Sequence, residues 1–388
     1  MPATARNSGG AAPLKTATAI SRQIYVDPKL YEAERHAVFE RTWLFVAHLS
    51  EIPNEGDYIT TTLADRPVIV IRTGSSSVEI LLNTCTHRGM QVATEARGNA
   101  RSFTCPYHNW TFERSGALRS RPDEEAYGKD IDKSCLSLGK VPRVEVFCEL
   151  IFASFLESIE PFPAYLGDAA PWIEKCYWRE GGYEVRGYHR YRMHTNWKLI
   201  QENLADGYHV RALHRTAARG PWVKGFLAGQ QHGFRNGHCM LTWEAPVQAR
   251  LLERDSAISA DELRVMTMCV FPNLQISTTN NRPTVRRIIP HGIEYTDMVG
   301  YALVPRSMPK NEGDALARQY GEFYGPAGGN NVDDVEAFEL SFAGMRIPEI
   351  GWSDASRGVQ AGSKAIQDET AVHAFYDAWV GLMSGARA

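Results

Sequence analysis

The sequence lacks several features that would point to other functions. No run of about 18 apolar residues occurs, so no transmembrane helix is expected. Charge is balanced: 42 Lys and Arg stand against 45 Asp and Glu, a formal net charge of −3. That balance gives no electrostatic case for nucleic acid or an anionic membrane. No G-x-G-x-x-G follows a strand pattern, and "YGPAGG" has the wrong spacing and context. A nicotinamide or flavin site is therefore not expected in this chain. Seven cysteines are scattered over 388 residues, which argues against a disulfide framework and for a reducing compartment, the cytoplasm. The opening "MPATARNSGGAAPLKTATAISRQ" has no apolar run of the kind a signal peptide needs, and residues 1–24 are expected to form a disordered tail.

A globular core is expected, because 44% of residues are hydrophobic and 22% charged. "DPKLYEAERHAVFERTW" (27–43) fits a helix. "DYITTTLADRPVIVIRTGSSSVEILLN" alternates in β-branched runs broken by turn residues, and strand-like segments continue to "VEVFCELIFASF". A helical element is expected near 161–180, then a strand in "GYEVRGYHRYRMHTNWK" and a helix over "NWKLIQENLADGYHVRALHR". Strands follow at 266–278, 284–290 and 296–304, and helices in "NEGDALARQYGEFY" and "SKAIQDETAVHAFYDAWVGLM". The fold class is α+β: a small antiparallel-β domain precedes a larger domain whose antiparallel sheet is covered by helices. The expected units are 25–44, an N-terminal helix packing on the larger domain, then 45–160 and 161–388.

Two cysteines and two histidines alternate in "LNTCTHRGMQVATEARGNARSFTCPYHNW": Cys85-x-His87, seventeen residues, then Cys105-x-x-His108. Zinc fingers instead pair Cys with Cys and His with His. The mixed order suits two irons, one held by both thiolates and the other by both imidazoles, which is the Rieske [2Fe–2S] arrangement. Gly89 permits a tight turn beside the first ligand pair, Pro106 stiffens the second loop, and Tyr107 and Trp110 are candidates to shield a cluster. The other five cysteines, Cys135, Cys148, Cys176, Cys239 and Cys269, lack ligand spacing and are read as small buried hydrophobes.

A one-electron centre serves a place where chemistry occurs. Within "NWKLIQENLADGYHVRALH" stand Asp206, His209 and His214. Asp206 and His209 are three apart and share a helix face. His209 and His214 are five apart, roughly 140° around an ideal helix, so both reach one metal only if the helix distorts or ends between them. Two histidines and a carboxylate form the facial triad of non-haem Fe(II) oxygenases. On spacing alone the carboxylate is either Asp206 or one of Asp333 and Asp334 in "YGPAGGNNVDDVEAFE".

The pieces "CTHRG", "CPYHNW", "NWKLIQENLADGYHVRALH" and "GPAGGNNVDD", in this order and spacing, resemble the catalytic α subunit of Rieske non-haem iron aromatic ring-hydroxylating oxygenases. The resemblance covers nearly the whole chain. It implies that Cys85 and Cys105 hold one iron and His87 and His108 the other, and that His209, His214 and Asp334 hold a mononuclear Fe(II). It further implies that Asp206 is no ligand but bridges His108 of one subunit to His209 of its neighbour, and that Asn203 is an active-site asparagine. The implied partners are an aromatic substrate, O2, a reductase with or without a ferredoxin, and a small β subunit, in a homotrimer or α3β3 assembly. NADH acts only through the reductase. The implied setting is bacterial, cytoplasmic aromatic catabolism by a dioxygenase. The alternative on the same scaffold is a monooxygenase performing aromatic monohydroxylation or O- or N-demethylation. Arg88, Arg97, Arg101, Arg114, Arg119 and Arg121 crowd the first domain and are candidates to dock an acidic electron donor.

For the substrate, "RPTVRRIIPHG" places Arg286 and Arg287 on one strand, so only one faces inward. An arginine in an apolar pocket wants an anion. The segment is similar to that of terephthalate and salicylate oxygenases, which implies an aromatic carboxylate anchored by Arg286. Leu204, Val210, Leu213, Tyr324 and Asn330 are the candidate pocket walls.

Overall fold

A computed structural model describes residues 13–127, 132–178, 180–214, 222–244, 264–278, 283–329 and 331–385. The first half holds three small antiparallel sheets. One runs, in spatial order, Val78–Leu82, Arg66–Arg72, Asp57–Leu63, Arg97–Asn99. A second joins Ser102–Thr104, Thr111–Glu113 and Leu118–Ser120, and a third joins Arg143–Phe147, Leu150–Ser154 and Leu44–His48. Every residue of "LIFAS" at Leu150–Ser154 is buried, as expected of a strand covered on both faces.

The second half is built on a seven-stranded antiparallel sheet. Its spatial order is Tyr183–Met193, Tyr295–Pro305, Thr284–His291, Leu274–Ser277, Arg264–Val270, Cys239–Glu244, Gln230–Gly233. Helices Trp197–Ala205, Lys310–Tyr324, Asn331–Met345 and Thr370–Gly385 accompany it. This is the α+β arrangement expected. The short strands Gln230–Gly233 and Cys239–Glu244 and the helix Asn331–Met345 carry no clear periodic signal and were not anticipated.

The N-terminal segment packs on the helix Trp197–Ala205. Asp27 caps the helix Pro28–Glu34 by accepting from Lys29 N (2.8 Å), with Pro28 at the first helical position. Glu34, at the other end, is fully buried and forms an ion pair with the equally buried Lys198. Its carboxylate also accepts from the indoles of Trp197 (3.0 Å) and Trp379 (2.8 Å). Tyr25 and Tyr376 both donate to Glu202, at 2.7 and 2.6 Å. These contacts clamp one helix between the N-terminal segment and the last helix.

Two helices differ from expectation. "NWKLIQENLADGYHVRALH" forms two short helices, Trp197–Ala205 and His209–Leu213, not one. The break falls at Asp206–Gly207, where only a residue without a side chain fits. A Cβ at Gly207 would lie 2.2 Å from the carbonyl oxygen of Ile366. Asp206 leaves the helix in an extended conformation, and its Oδ1 accepts from Tyr208 N at 2.6 Å. The last helix starts at Thr370, because 363–369 instead runs along the sheet edge. There Gln231 N donates to Lys364 O (2.9 Å) and Ile366 N to Gly229 O (3.1 Å).

Candidate active site

The four Cys and His residues of the first motif lie on two loops of matching geometry. In one, Cys85 N donates to Met90 O (2.7 Å) and Gly89 N to Cys85 O (2.8 Å). In the other, Cys105 N donates to Trp110 O (2.8 Å) and Asn109 N to Cys105 O (2.9 Å). The residue four after each cysteine is left-handed: Gly89 at φ 75° and Asn109 at φ 57°. Asn109 is the counterpart of Gly89 that the sequence reading did not mark. Both sulfurs are buried, and both histidines are half-buried, so the imidazole end faces outward. Burial pushes the Cys85 thiol up, against the N–H groups of His87 and Arg88 that favour its thiolate.

These residues fit a [2Fe–2S] cluster better than one zinc ion. The Nδ1 atoms of His87 and His108 are buried and make no hydrogen bond, so each is free to ligate. A single zinc draws its donors to roughly 3.5–4 Å of one another. Among the described residues, three such atoms come within 4.8 Å only at His209, His214 and Asp334. Trp110 is buried and stacks on His87 (4.9 Å between rings, 2° between planes), which shields it. Tyr107 packs on His108 at 3.9 Å but is 57% exposed, so it lies at the surface and screens little.

The second site assembles around the helix break. His209 opens the short helix, and His214 caps its end at φ −84°, ψ 58°. The helix thus ends between them, as the spacing required. Asp334 enters from the first turn of Asn331–Met345. Its Oδ1 lies 3.8 Å from His209 Nε2 and 3.3 Å from His214 Nε2. Asn203 Nδ2 donates to the same oxygen at 3.3 Å. Two further carboxylates stand behind the histidines: Asp206 is 3.5 Å from His209 Nδ1, and Asp333 is 3.4 Å from His214 Nδ1. For His214 that contact is a hydrogen bond, the usual outer partner of a metal-ligating histidine, while His209 Nδ1 only faces its acid. Burial opposes charge on His214, but Asp334 and Asp333 outweigh it and hold its pKa above the ordinary value. The cluster therefore attracts positive charge, as a cation site does. Asp333 as the partner of His214 was missed, since nothing local links residues 119 apart. Asp206 meets His209 across the break, not along a shared helix face.

The paired arginines separate as alternation demands. Arg287 is buried and donates to Val46 O and Thr61 Oγ1, both at 2.9 Å, and to Thr62 O. It ties the large sheet to two of the small ones. Arg286 lies opposite Gln275, which donates to Ile200 O (3.1 Å) and Gln201 Oε1 (3.0 Å) on the helix leading to Asp206. Arg286 thus faces the metal side of the sheet. Its guanidinium carbon is 5.9 Å from the ring centre of Tyr324.

Among the other candidate walls, Leu204 packs into the main core, and Val210 joins a small cluster with Phe226, Leu241 and Ile366. Leu213 is half-buried, and Asn330 lies outside the described residues. Of the six arginines proposed for donor docking, Arg121 is buried beneath Tyr127 (3.9 Å) and beside Trp110 (5.7 Å), which takes it out of that role. Arg114 pairs with Glu55 at 2.8 Å, while Arg88 and Arg101 are exposed. Of the five leftover cysteines, Cys239 and Cys269 are buried neighbours on adjacent strands and Cys135 is exposed, contrary to expectation.

Fold and sites together define an iron–sulfur relay joined to a mononuclear non-haem iron oxygenase. Residues 42–145 match the Rieske [2Fe-2S] domain family, and residues 181–385 match the ring hydroxylating alpha subunit catalytic domain. The chain is 31% identical to the large subunit of 2-halobenzoate 1,2-dioxygenase from Burkholderia cepacia, over 87% of this chain and 79% of that one. It is 30% identical to the alpha subunit of 2-aminobenzenesulfonate 2,3-dioxygenase from an Alcaligenes species, over 94% and 93%. Naphthalene 1,2-dioxygenase with indole in its active site superposes at TM-score 0.85, with 28% identity over 95% of this chain and 93% of that one. The chain belongs to the Rieske non-haem iron ring-hydroxylating oxygenases, as the large, catalytic subunit. Its cofactors are a [2Fe–2S] cluster and a mononuclear iron. No helix among the described residues is long and apolar enough to cross a membrane.

Proposed function

We propose that this subunit dihydroxylates the ring of an aromatic carboxylate, adding both atoms of O2 as a cis-diol. The observation that carries the reading is Arg286. It faces the metal side of the sheet, and its Nε is buried without a hydrogen bond. Among the described residues no carboxylate pairs with it. A guanidinium left in that state is completed by an anion. Two relatives act, by name, on a halobenzoate and an aminobenzenesulfonate, both ring-bearing anions.

In this reading Cys85 and Cys105 hold one iron of the cluster, His87 and His108 the other, and His209, His214 and Asp334 hold the mononuclear iron. The cluster supplies electrons and the mononuclear iron supplies O2 activation. The protein does the rest. Asp333 accepts from the Nδ1–H of His214, and Asp206 stands 3.5 Å from His209 Nδ1, so both Nε2 atoms face Asp334. Asn203 donates to Asp334 and fixes its rotamer. Arg286 would hold the carboxylate and so orient the ring.

Asp206 also bridges to His108 of a neighbouring subunit. The half-buried His108 and the partly exposed Asp206 are both available for such a contact. The active form is therefore a ring of three, alone or with a small β subunit, fed by a cytoplasmic reductase with or without a ferredoxin. Asp206→Asn should leave both metals loaded and lower turnover about 100-fold, the upper end for partners behind a ligand. Unchanged turnover would remove the bridge from the account.

For Arg286→Gln, the KM for benzoate should rise about 100-fold, the upper range for a charge-assisted hydrogen bond, while the neutral methyl benzoate is unaffected. Equal loss on both would show that Arg286 is structural. Formaldehyde release from a methoxy or N-methyl substrate, with no diol from aromatic acids, would instead establish demethylation.

A further inference from the structure

Arg286 is not alone in lacking a partner. Thr284 lies two residues earlier on the same strand, so its side chain shares the Arg286 face. The Thr284 hydroxyl, the Arg286 Nε and the Tyr320 hydroxyl are all buried and none makes a hydrogen bond of good geometry, although the two hydroxyls face each other closely enough to interact. Thr284 is 0% exposed and Tyr320 4%.

Tyr320 comes from the helix Lys310–Tyr324, and its hydroxyl reaches the sheet beside the arginine. Gly300 is directly opposite Arg286 on the neighbouring strand. A Cβ there would sit 3.6 Å from the Tyr320 hydroxyl, an ordinary contact distance, so the phenol reaches the sheet next to the strand position that faces the guanidinium. His189 stacks on the Tyr320 ring (5.5 Å, 14°) and fixes its plane. Burial holds the Tyr320 phenol protonated, well above its usual range, so it remains a donor. Tyr191 bounds the same space on the metal side, where its hydroxyl accepts from Asn331, three residues before Asp334.

Native folds rarely leave buried polar atoms bare, and three on one patch point to a missing partner. All three can donate, and one belongs to a cation. A cationic ligand is excluded, and a neutral one leaves the guanidinium uncompensated.

We propose that Thr284, Arg286 and Tyr320 form one subsite that binds the oxyanion of the substrate, a carboxylate or a sulfonate. The inference rests on the aromatic-acid reading and goes beyond it by assigning two hydroxyls as specificity determinants. A carboxylate presents two oxygens and a sulfonate three, enough to accept from the guanidinium and both hydroxyls together.

The test is calorimetric titration of the iron-loaded enzyme with benzoate, benzenesulfonate and methyl benzoate, for the natural protein, Tyr320→Phe, Thr284→Val and Arg286→Gln. Thermal unfolding of the ligand-free proteins is measured alongside. Tyr320→Phe and Thr284→Val should each weaken the preferred anion about 10-fold, as expected for a hydrogen bond to a charged group. Methyl benzoate affinity should stay within about twofold. The same two variants should unfold at or above the natural temperature, because removing an unsatisfied buried hydroxyl does not cost stability. Unchanged anion affinity in both variants, with loss only in Arg286→Gln, would overturn the role of the hydroxyls and leave the carboxylate reading standing. Ester binding as tight as either anion in the natural protein would overturn the carboxylate reading itself. A drop in unfolding temperature for both variants would show the hydroxyls to be structural and end the proposal.

Discussion

His209→Ala should lower turnover below about a thousandth while the protein keeps the visible spectrum of its iron–sulfur cluster. A metal that activates a reaction contributes several kcal/mol to its barrier, and each 1.4 kcal/mol is tenfold in rate. His209, His214 and Asp334 are the one group among the described residues whose donor atoms lie within 4.8 Å of one another. Removing one leaves two donors and an open cage. Asp334→Ala should behave alike. Metal analysis would show the loss of one iron per chain with two retained. Retained turnover would remove the triad from the account, and a bleached spectrum would show that the two metal sites do not load independently.

The second large effect is on stability. Glu34→Gln should cost roughly 3–5 kcal/mol in urea unfolding, since it leaves the Lys198 ammonium buried and unpaired. Both side chains are fully buried, and burial already presses the Lys198 pKa down against the pull of Glu34. Lys198 also sits over the rings of Trp197 (5.2 Å) and Trp379 (5.5 Å), so the ammonium is enclosed on several sides. Glu34→Gln with Lys198→Met should cost less than the sum of the single changes, because no uncompensated charge remains. Additive losses would mean the two residues stabilise the fold separately. The effect should reach the metal, because Lys198 stands at the start of the helix that ends at Asp206.

What was legible in the sequence was what is local. The order Cys85, His87, Cys105, His108 carries its own chemistry, and the five-residue step from His209 to His214 demanded a helix end that the structure supplies at Leu213. The break before His209 was only partly legible: Asp206 caps Tyr208 N locally, but the close approach of Gly207 to the carbonyl of Ile366 comes from far along the chain. The third ligand was ambiguous on spacing, since Asp206, Asp333 and Asp334 all qualified. In the fold Asp206 and Asp333 face the outer nitrogens and Asp334 the inner ones, which supports the proposal of Asp334 as the third ligand. "QQHG" at Gln230–Gly233 reads as polar loop and is the last strand of the sheet, because its backbone pairs with Cys239–Glu244 on one side and meets 364–366 on the other. Alternation showed that only one of Arg286 and Arg287 points inward. Which one does depends on whether the strand meets Gln275 or Thr61, a tertiary fact. Thr284 and Tyr320 left no signal, for an unsatisfied hydroxyl shows only once its surroundings are built.

The most direct test of the central claim is one turnover by the chemically reduced enzyme, without a reductase, under labelled O2 with benzoate as substrate. The account predicts a ring cis-diol carrying two atoms from the same O2 molecule, formed while the cluster is oxidised. A product with a single labelled oxygen, or cluster oxidation with no ring product, would contradict it.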